Sequence, residues 1–254
     1  MSSVRFEAGS DGVAVITIDR PDARNAVNLE VAHGIAAAVD ELEESDDLSV
    51  AILTGAGGTF SAGLDLKAFT RGEIPVLPGR GFGGLTDRPP AKPLIAAVEG
   101  WALAGGCELA LTADLIVAAR DARFGIPEVR RGLVAGSGGL LRLPKVLPYH
   151  LAMELALTGE PLAAETAYRH GMVNVLTEPG EALAGARALA ARIAGHGPLA
   201  VRTSKQIVAL AVGHTDAEAM AAQQPLVDRV VGSADALEGA RAFAEKRPPV
   251  WTGA

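Results

Sequence analysis

Residues 12–20, GVAVITIDR, place β-branched apolar side chains in near alternation and predict a strand. Residues 28–45, NLEVAHGIAAAVDELEES, switch to a helical period, with Asn28 as the N-cap and an acidic C-terminal stretch. Short apolar strands are predicted at 49–55, 92–100 and 113–120, and GMVNVLT at 171–177 is the last. An apolar helix containing Glu108 precedes the strand at 113–120. From Pro179 the pattern is wholly helical, over 179–195, 198–212, 215–231 and 234–246, with breaks at glycine or proline. The alternation predicts an α/β core over 1–180 with largely buried strands, then a helical region over 181–254 that packs on something. The Gly- and Pro-rich stretch 71–91 is the one long loop, and loops of that length usually serve function.

A chain of 254 residues that is 49% hydrophobic can bury a sizeable core. Its net charge of −7 opposes general nucleic-acid binding, which needs a basic surface, although a local Arg or Lys cluster would still hold a phosphorylated ligand. Cys107 is the single cysteine, so no intrachain disulfide forms and a reducing compartment fits. The start, MSSVRFEAGSDG, has no basic segment followed by an apolar one. No apolar run reaches the roughly 20 residues of a membrane span. The expectation is a cytoplasmic protein with neither a membrane nor a nucleic acid as partner.

Several motifs fail on inspection. GAGGTFSAG (55–63) and GSGGLL (136–141) lack the spacing of a dinucleotide fingerprint, and no phosphate-binding P-loop is present. No serine completes a nucleophile elbow. His33, His150, His170, His196 and His214 are scattered without metal-ligand spacing, so neither a metal nor a nicotinamide cofactor is expected.

What remains is a pair of glycine turns and a pair of lone acids. Gly105 and Gly106 open the apolar helix that carries Glu108, and a first helical turn offers unpaired N–H groups with a partial positive charge. Glycine lets a ligand approach that backbone closely. A developing oxyanion held there loses about 3–4 kcal/mol per donor removed. FSAGLDLK (60–67), with Ala62 and Gly63, offers a second small-residue turn. Taken singly, each turn is explained equally well by tight packing. Glu108 lies among Cys107, Leu109, Ala110 and Leu111, and Glu128 follows a proline twenty positions later. Burial of two nearby carboxyls would raise one above the other, giving an acid and a base. The plain alternative sets Glu108 on a surface and pairs Glu128 with Arg130 or Arg131.

Together these segments resemble the crotonase superfamily, the enoyl-CoA hydratase/isomerase fold. The resemblance is carried by DRPDARNAVN (19–28), AILTGAGGTFSAGLDLK (51–67), AAVEGWALAGGCELALTADLIVA (96–118), ARFGIPEVRRGLVAGSGGLLRLPK (122–145) and LTGEPLAAETAYRHGMVN (157–174). It implies an α/β spiral of repeated β-β-α units with a C-terminal helical trimerisation region, giving a homotrimer or a dimer of trimers. It implies backbone oxyanion donors at Ala62 and Gly105, acid–base residues at Glu108 and Glu128, and an acyl-CoA thioester lying along Gly63, Leu64 and Asp65. Arg24 would meet a CoA phosphate, and Phe243 and Lys246 would help close the CoA site across a subunit boundary. Coenzyme A then belongs to the substrate, and no cofactor is implied.

The implied reaction is reversible syn hydration of a 2-enoyl-CoA, with Glu108 handling the water and Glu128 the proton at C2. Three rivals stay open: a double-bond isomerase, a non-catalytic acyl-CoA binder, and a carnitinyl-CoA dehydratase. The last is suggested by SGGLLRLPKVLP (137–148) and AFAEKRPPVWTG (242–253). Its trimethylammonium substrate would want an aromatic face. With two tryptophans, two tyrosines and six phenylalanines, Trp101 is the candidate nearest the site, although a core position suits it better.

Overall fold

The strand at 13–18 and its neighbours bury both of their faces, and one sheet between two helical layers results. The computed structural model describes residues 2–253. Its first half runs β1 (Val4–Ala8), β2 (Val13–Ile18), α1 (Leu29–Glu44), β3 (Val50–Gly55), α2 (Leu66–Phe69), β4 (Val76–Leu77), β5 (Gly81–Phe82), β6 (Leu94–Val98), β7 (Trp101–Leu103) and α3 (Gly105–Ala110). The second half runs β8 (Leu115–Ala119), β9 (Arg123–Gly125), α4 (Gly139–Val146), α5 (Tyr149–Thr158), β10 (Leu162–Ala163), α6 (Ala164–Arg169) and β11 (Val175–Thr177). Four helices close the chain: α7 (Ala182–Ala194), α8 (Pro198–Ala211), α9 (Asp216–Val231) and α10 (Ala234–Glu245).

The main sheet has the order β1-β2-β3-β6-β8-β11, parallel except for the β1–β2 pair. Side chains alternate across it. Ala51, Leu53, Leu94 and Ala96 join Val31, Ile35 and Leu42 of α1 in one core. Val50, Ile52, Ile95 and Ala97 face the other way, under Ala182, Ala186 and Ala190 of α7. Alanines spaced four apart form one stripe of a helix and allow close approach to the strands. A smaller sheet, β10-β9-β7, continues directly into α3.

Asn28 caps α1 as expected, its side chain accepting from the Val31 amide at 3.0 Å. The four C-terminal helices also form where periodicity puts them. Their grouping differs from the expected boundary at 180, because α7 supplies the second face layer of the sheet. Only α8–α10 stand apart from it, and α8 is fastened back by Lys205, whose Nζ donates to Pro90 O (2.8 Å), Lys92 O (3.0 Å) and Asp114 Oδ2 (2.6 Å). The expected long loop at 71–91 contains the β4–β5 hairpin, and Phe82, Leu85 and Thr86 beyond its turn are buried. Two-residue strands are too short for a periodic signal, so composition alone made this segment read as loop.

Candidate active site

Two turns meet at the rim of one cavity. The first is Phe60–Asp65, held from behind by Asn25. That residue is fully buried, and its side-chain nitrogen donates to Ala56 O (2.8 Å) and Thr59 O (2.6 Å). Ser61 Oγ donates to Asn25 O at 2.8 Å and accepts from the Gly63 amide at 3.1 Å. Asp65 ends the turn as the N-cap of α2, accepting from Lys67 and Ala68 amides at 3.1 Å each, and pairs with Arg20 at 3.0 Å. Burial pushes the Asp65 carboxyl up, but these hydrogen bonds and the guanidinium outweigh it and hold the group below its usual value.

The second turn carries the chain from β7 into α3 through Ala104, at φ 51° and ψ −130°. L-residues rarely occupy that region, and such strain persists only where the surroundings enforce it. Here the Ala104 amide donates to Gly125 O at 2.8 Å, and its carbonyl accepts from Glu108 N at 3.1 Å. The conformation leaves the Gly105 amide without an acceptor among the described residues. Gly105 admits no side chain, because a Cβ there would overlap the Phe82 ring. Gly63, at φ +85°, is equally constrained: its Cβ would fall 2.8 Å from Gly105 N. These two glycines are what lets the turns touch.

The contact corrects one expected donor. The Ala62 amide is already committed, donating to Arg24 O at 3.0 Å. On either side of Leu64, the Gly63 carbonyl accepts from Val27 N (2.7 Å) and the Asp65 amide donates to Val27 O (2.9 Å). This is the pattern of a parallel bridge, and it leaves the Leu64 amide, like that of Gly105, without an acceptor among the described residues. The FSAGLDLK segment therefore supplies its free N–H two positions later than its sequence suggested. Pairing across a non-adjacent segment decided this, and spacing alone carries no sign of it.

The cavity between the turns measures about 1030 Å³. Arg24, Ala62, Leu64, Asp65, Gly105, Glu108 and Glu128 all line it, so seven of the expected residues converge. Gly63 sits behind the lining. The hairpin contributes Ile74, Val76 and Phe82, and the segment after Glu128 contributes Leu133 and Val134. Phe243 and Lys246 are not among the lining residues, and Phe243 is 88% exposed on α10. Trp101 is neither core nor lining: β7 leaves it 44% exposed outside the cavity.

The two carboxyls are held differently. Glu108 is 3% exposed, and its Oε1 accepts from the Ser137 amide at 2.7 Å and the Gly139 amide at 2.9 Å. Its Oε2 makes no hydrogen bond among the described residues. Glu128 stands on a 3-10 turn, Pro127–Arg131, started by the proline. Its Oε2 is buried without a hydrogen-bond partner. Burial, reinforced by the nearby Glu108 carboxylate, raises Glu128 to about 7. The salt-bridge alternative does not hold, since Arg130 turns to Glu160 and Thr158 O, and no ion pair joins Arg131 to Glu128 among the described residues. Between the acids, Cys107 is fully buried; burial first, and then both carboxylates, push its thiol far up and keep it un-ionised. No group of three His, Cys, Asp or Glu side chains among the described residues is arranged to hold a metal.

The profile of the enoyl-CoA hydratase/isomerase family matches residues 8–254. The chain belongs to that family. It is 59% identical to an enoyl-CoA hydratase from Mycobacterium tuberculosis H37Rv whose crystal structure superposes with a TM-score of 0.98 over 100% of both chains. It is 43% identical to a carnitinyl-CoA hydratase from Mycobacterium avium, with a TM-score of 0.80 over 100% of both chains. A carnitinyl-CoA dehydratase from Salmonella typhimurium is 44% identical over 247 residues, 94% of each chain. The family's spiral α/β fold is the fold described above.

Proposed function

We propose that the protein reversibly adds water across the double bond of a 2-enoyl-CoA. The single observation carrying this reading is the convergence, on one cavity, of two acceptor-less amides and two unlike carboxyls. The thioester carbonyl accepts from the Leu64 and Gly105 N–H groups, which draws electron density from C3 and stabilises the enolate that forms on attack. Glu108, fixed through Oε1, uses Oε2 to orient a water and takes its proton as oxygen bonds to C3. Glu128 delivers a proton to C2. An acid near 7 is suited to giving and recovering a proton at neutral pH, so the same pair runs elimination in reverse.

Arg24, Lys67 and Arg131 line the same cavity and supply positive charge for CoA phosphates. Phe243 and Lys246 lie outside this chain's cavity, which supports a role in closing the site of a neighbouring subunit within a homotrimer or a dimer of trimers. No helix among the described residues is long and apolar enough to cross a membrane.

The carnitinyl-CoA reading is favoured by the 44% identity to a carnitinyl-CoA dehydratase and the 43% identity to a carnitinyl-CoA hydratase. Phe69 and Phe82 line the cavity and would offer aromatic faces to such a head group, whereas the acid beside them, Asp65, is already tied to Arg20. Purified protein offered short-, medium- and long-chain 2-enoyl-CoAs, a 3-enoyl-CoA and crotonobetainyl-CoA separates the possibilities by loss or gain of conjugated thioester absorbance. Hydration of the unsubstituted 2-enoyl-CoAs supports the proposal. Turnover of crotonobetainyl-CoA alone, isomerisation alone, or binding without turnover each replaces it with the corresponding rival.

A further inference from the structure

Glu108 is oriented by the amide of Ser137 in a loop and that of Gly139 at the start of α4, so something must hold the loop against the helix. Residues 132–138 have no regular structure between the Glu128 turn and α4, and a loop of that kind does not by itself fix an amide to a fraction of an ångström. One side chain reaches it from the rear. Arg142, one turn into α4 and only partly exposed, sends Nη1 to Ser137 O at 3.1 Å and Nη2 to Thr86 O at 2.6 Å. Ser137 is thereby held from both sides: its carbonyl accepts from Arg142 while its amide donates to Glu108. Gly138, at φ +98°, gives the guanidinium its room, since a Cβ there would overlap it.

The second bond matters as much as the first. Thr86 is 1% exposed just after the β4–β5 hairpin, and Phe82 of that hairpin packs against Gly105. A single planar group therefore joins the wall that orients Glu108 to the wall behind the oxyanion amide. Arg142 forms no ion pair among the described residues; burial holds its guanidinium below the ordinary value, and Glu108 first and then Asp87 act against that. A fixed fork with five donors suits two carbonyls on different segments, whereas a lysine would serve them with one flexible point charge.

We infer that Arg142 is a positioning residue for hydration: by clamping Ser137 O to Thr86 O it keeps the Ser137 and Gly139 amides on Glu108 and so aims that carboxylate's free oxygen at the water. The inference rests on the role given to Glu108 above. Arg142 does not line the cavity, so its loss acts on the chemical step and leaves thioester binding nearly intact.

The test compares kcat and KM for 2-enoyl-CoA hydration in the wild type, Arg142→Met, Arg142→Lys and Glu108→Gln, with thermal melts of each. Misplacement by about 1 Å can cost on the order of 10²-fold, and a kcat loss of that size with little change in KM is expected for Arg142→Met. Arg142→Lys recovers a minor part, and added guanidinium ion restores part of the Arg142→Met rate. If Arg142→Met does not fold, the lysine variant decides, with a reduced kcat at unchanged KM supporting the inference. Wild-type kcat in either Arg142 variant, beside an inactive Glu108→Gln, overturns this inference alone. So does a loss shared between kcat and KM that guanidinium does not relieve. A Glu108→Gln enzyme of full activity overturns the reading beneath it as well.

Discussion

Glu108 and Glu128 enter one cavity from different elements, and only Glu108 is pinned. Two amides hold Oε1 of Glu108, while Oε2 of Glu128 is buried with no partner. The asymmetry separates two chemically identical groups into one fixed in position and one that exchanges its proton near neutrality.

Replacing either acid by glutamine keeps shape and removes proton exchange. Each of Glu108→Gln and Glu128→Gln is expected to lower kcat by about 10²–10⁴-fold with thioester binding retained. Because the two acids act on one reaction as a unit, the double variant should be little worse than the worse single. Steady-state kinetics beside equilibrium binding of an unreactive acyl-CoA checks both statements, and losses that multiply would separate the two roles.

The pH dependence has a defined sign. Glu128 titrates near 7 instead of its ordinary 4.5, and hydration needs its protonated form to supply C2. For hydration, kcat/KM should therefore fall as pH rises through about 7, and for the reverse elimination it should fall as pH drops through the same value. Initial rates in both directions from mildly acid to alkaline buffers test this.

The same group links stability to pH. Between about 4.5 and about 7 the native state keeps a proton that the unfolded chain has released. The stability contributed by Glu128 is thus present at low pH and lost as pH rises through the folded value. Melting temperatures of Glu128→Gln should lack this decline, and parallel curves for the two proteins would refute it.

Leu64 and Ala62 make different uses of the backbone. Replacing the Leu64 amide by an ester, which deletes the N–H and weakens the Gly63 carbonyl as acceptor from Val27, should cost about 10²–10³-fold in kcat with a small fall in the melt. The same replacement at Ala62 removes a hydrogen bond to Arg24 O and should lower the melting temperature instead. Semisynthetic protein assayed both ways distinguishes them.

Phe243 is the most exposed large apolar side chain among the described residues, at 88%, and it does not line this chain's own cavity. Light scattering should give a trimer or a multiple of it, and Lys246→Ala should raise KM for the CoA thioester while leaving kcat close to wild type. A monomer at micromolar concentration would remove the role proposed for both residues.

Much of the molecule was legible in the sequence because it rests on local rules. The strands at 13–18, 50–55, 94–98 and 115–119 announce themselves by apolar residues that fill both faces, and the last four helices by their period and their breaks. Glu108 and Glu128 stood out as carboxyls in apolar company, and Gly105 as a glycine before a helix. What the sequence could not decide depends on partners far along the chain. The Ala62 amide is silenced by Arg24, and the Leu64 amide is freed because Val27 bonds its neighbours on either side. Ala104 is held at a positive φ by Gly125, and α7 joins the core because its alanine stripe meets the far face of the sheet. Which N–H is free and which carboxyl lacks a partner are properties of pairings between distant segments, and periodicity and spacing describe only near neighbours. Tertiary structure settled those pairings.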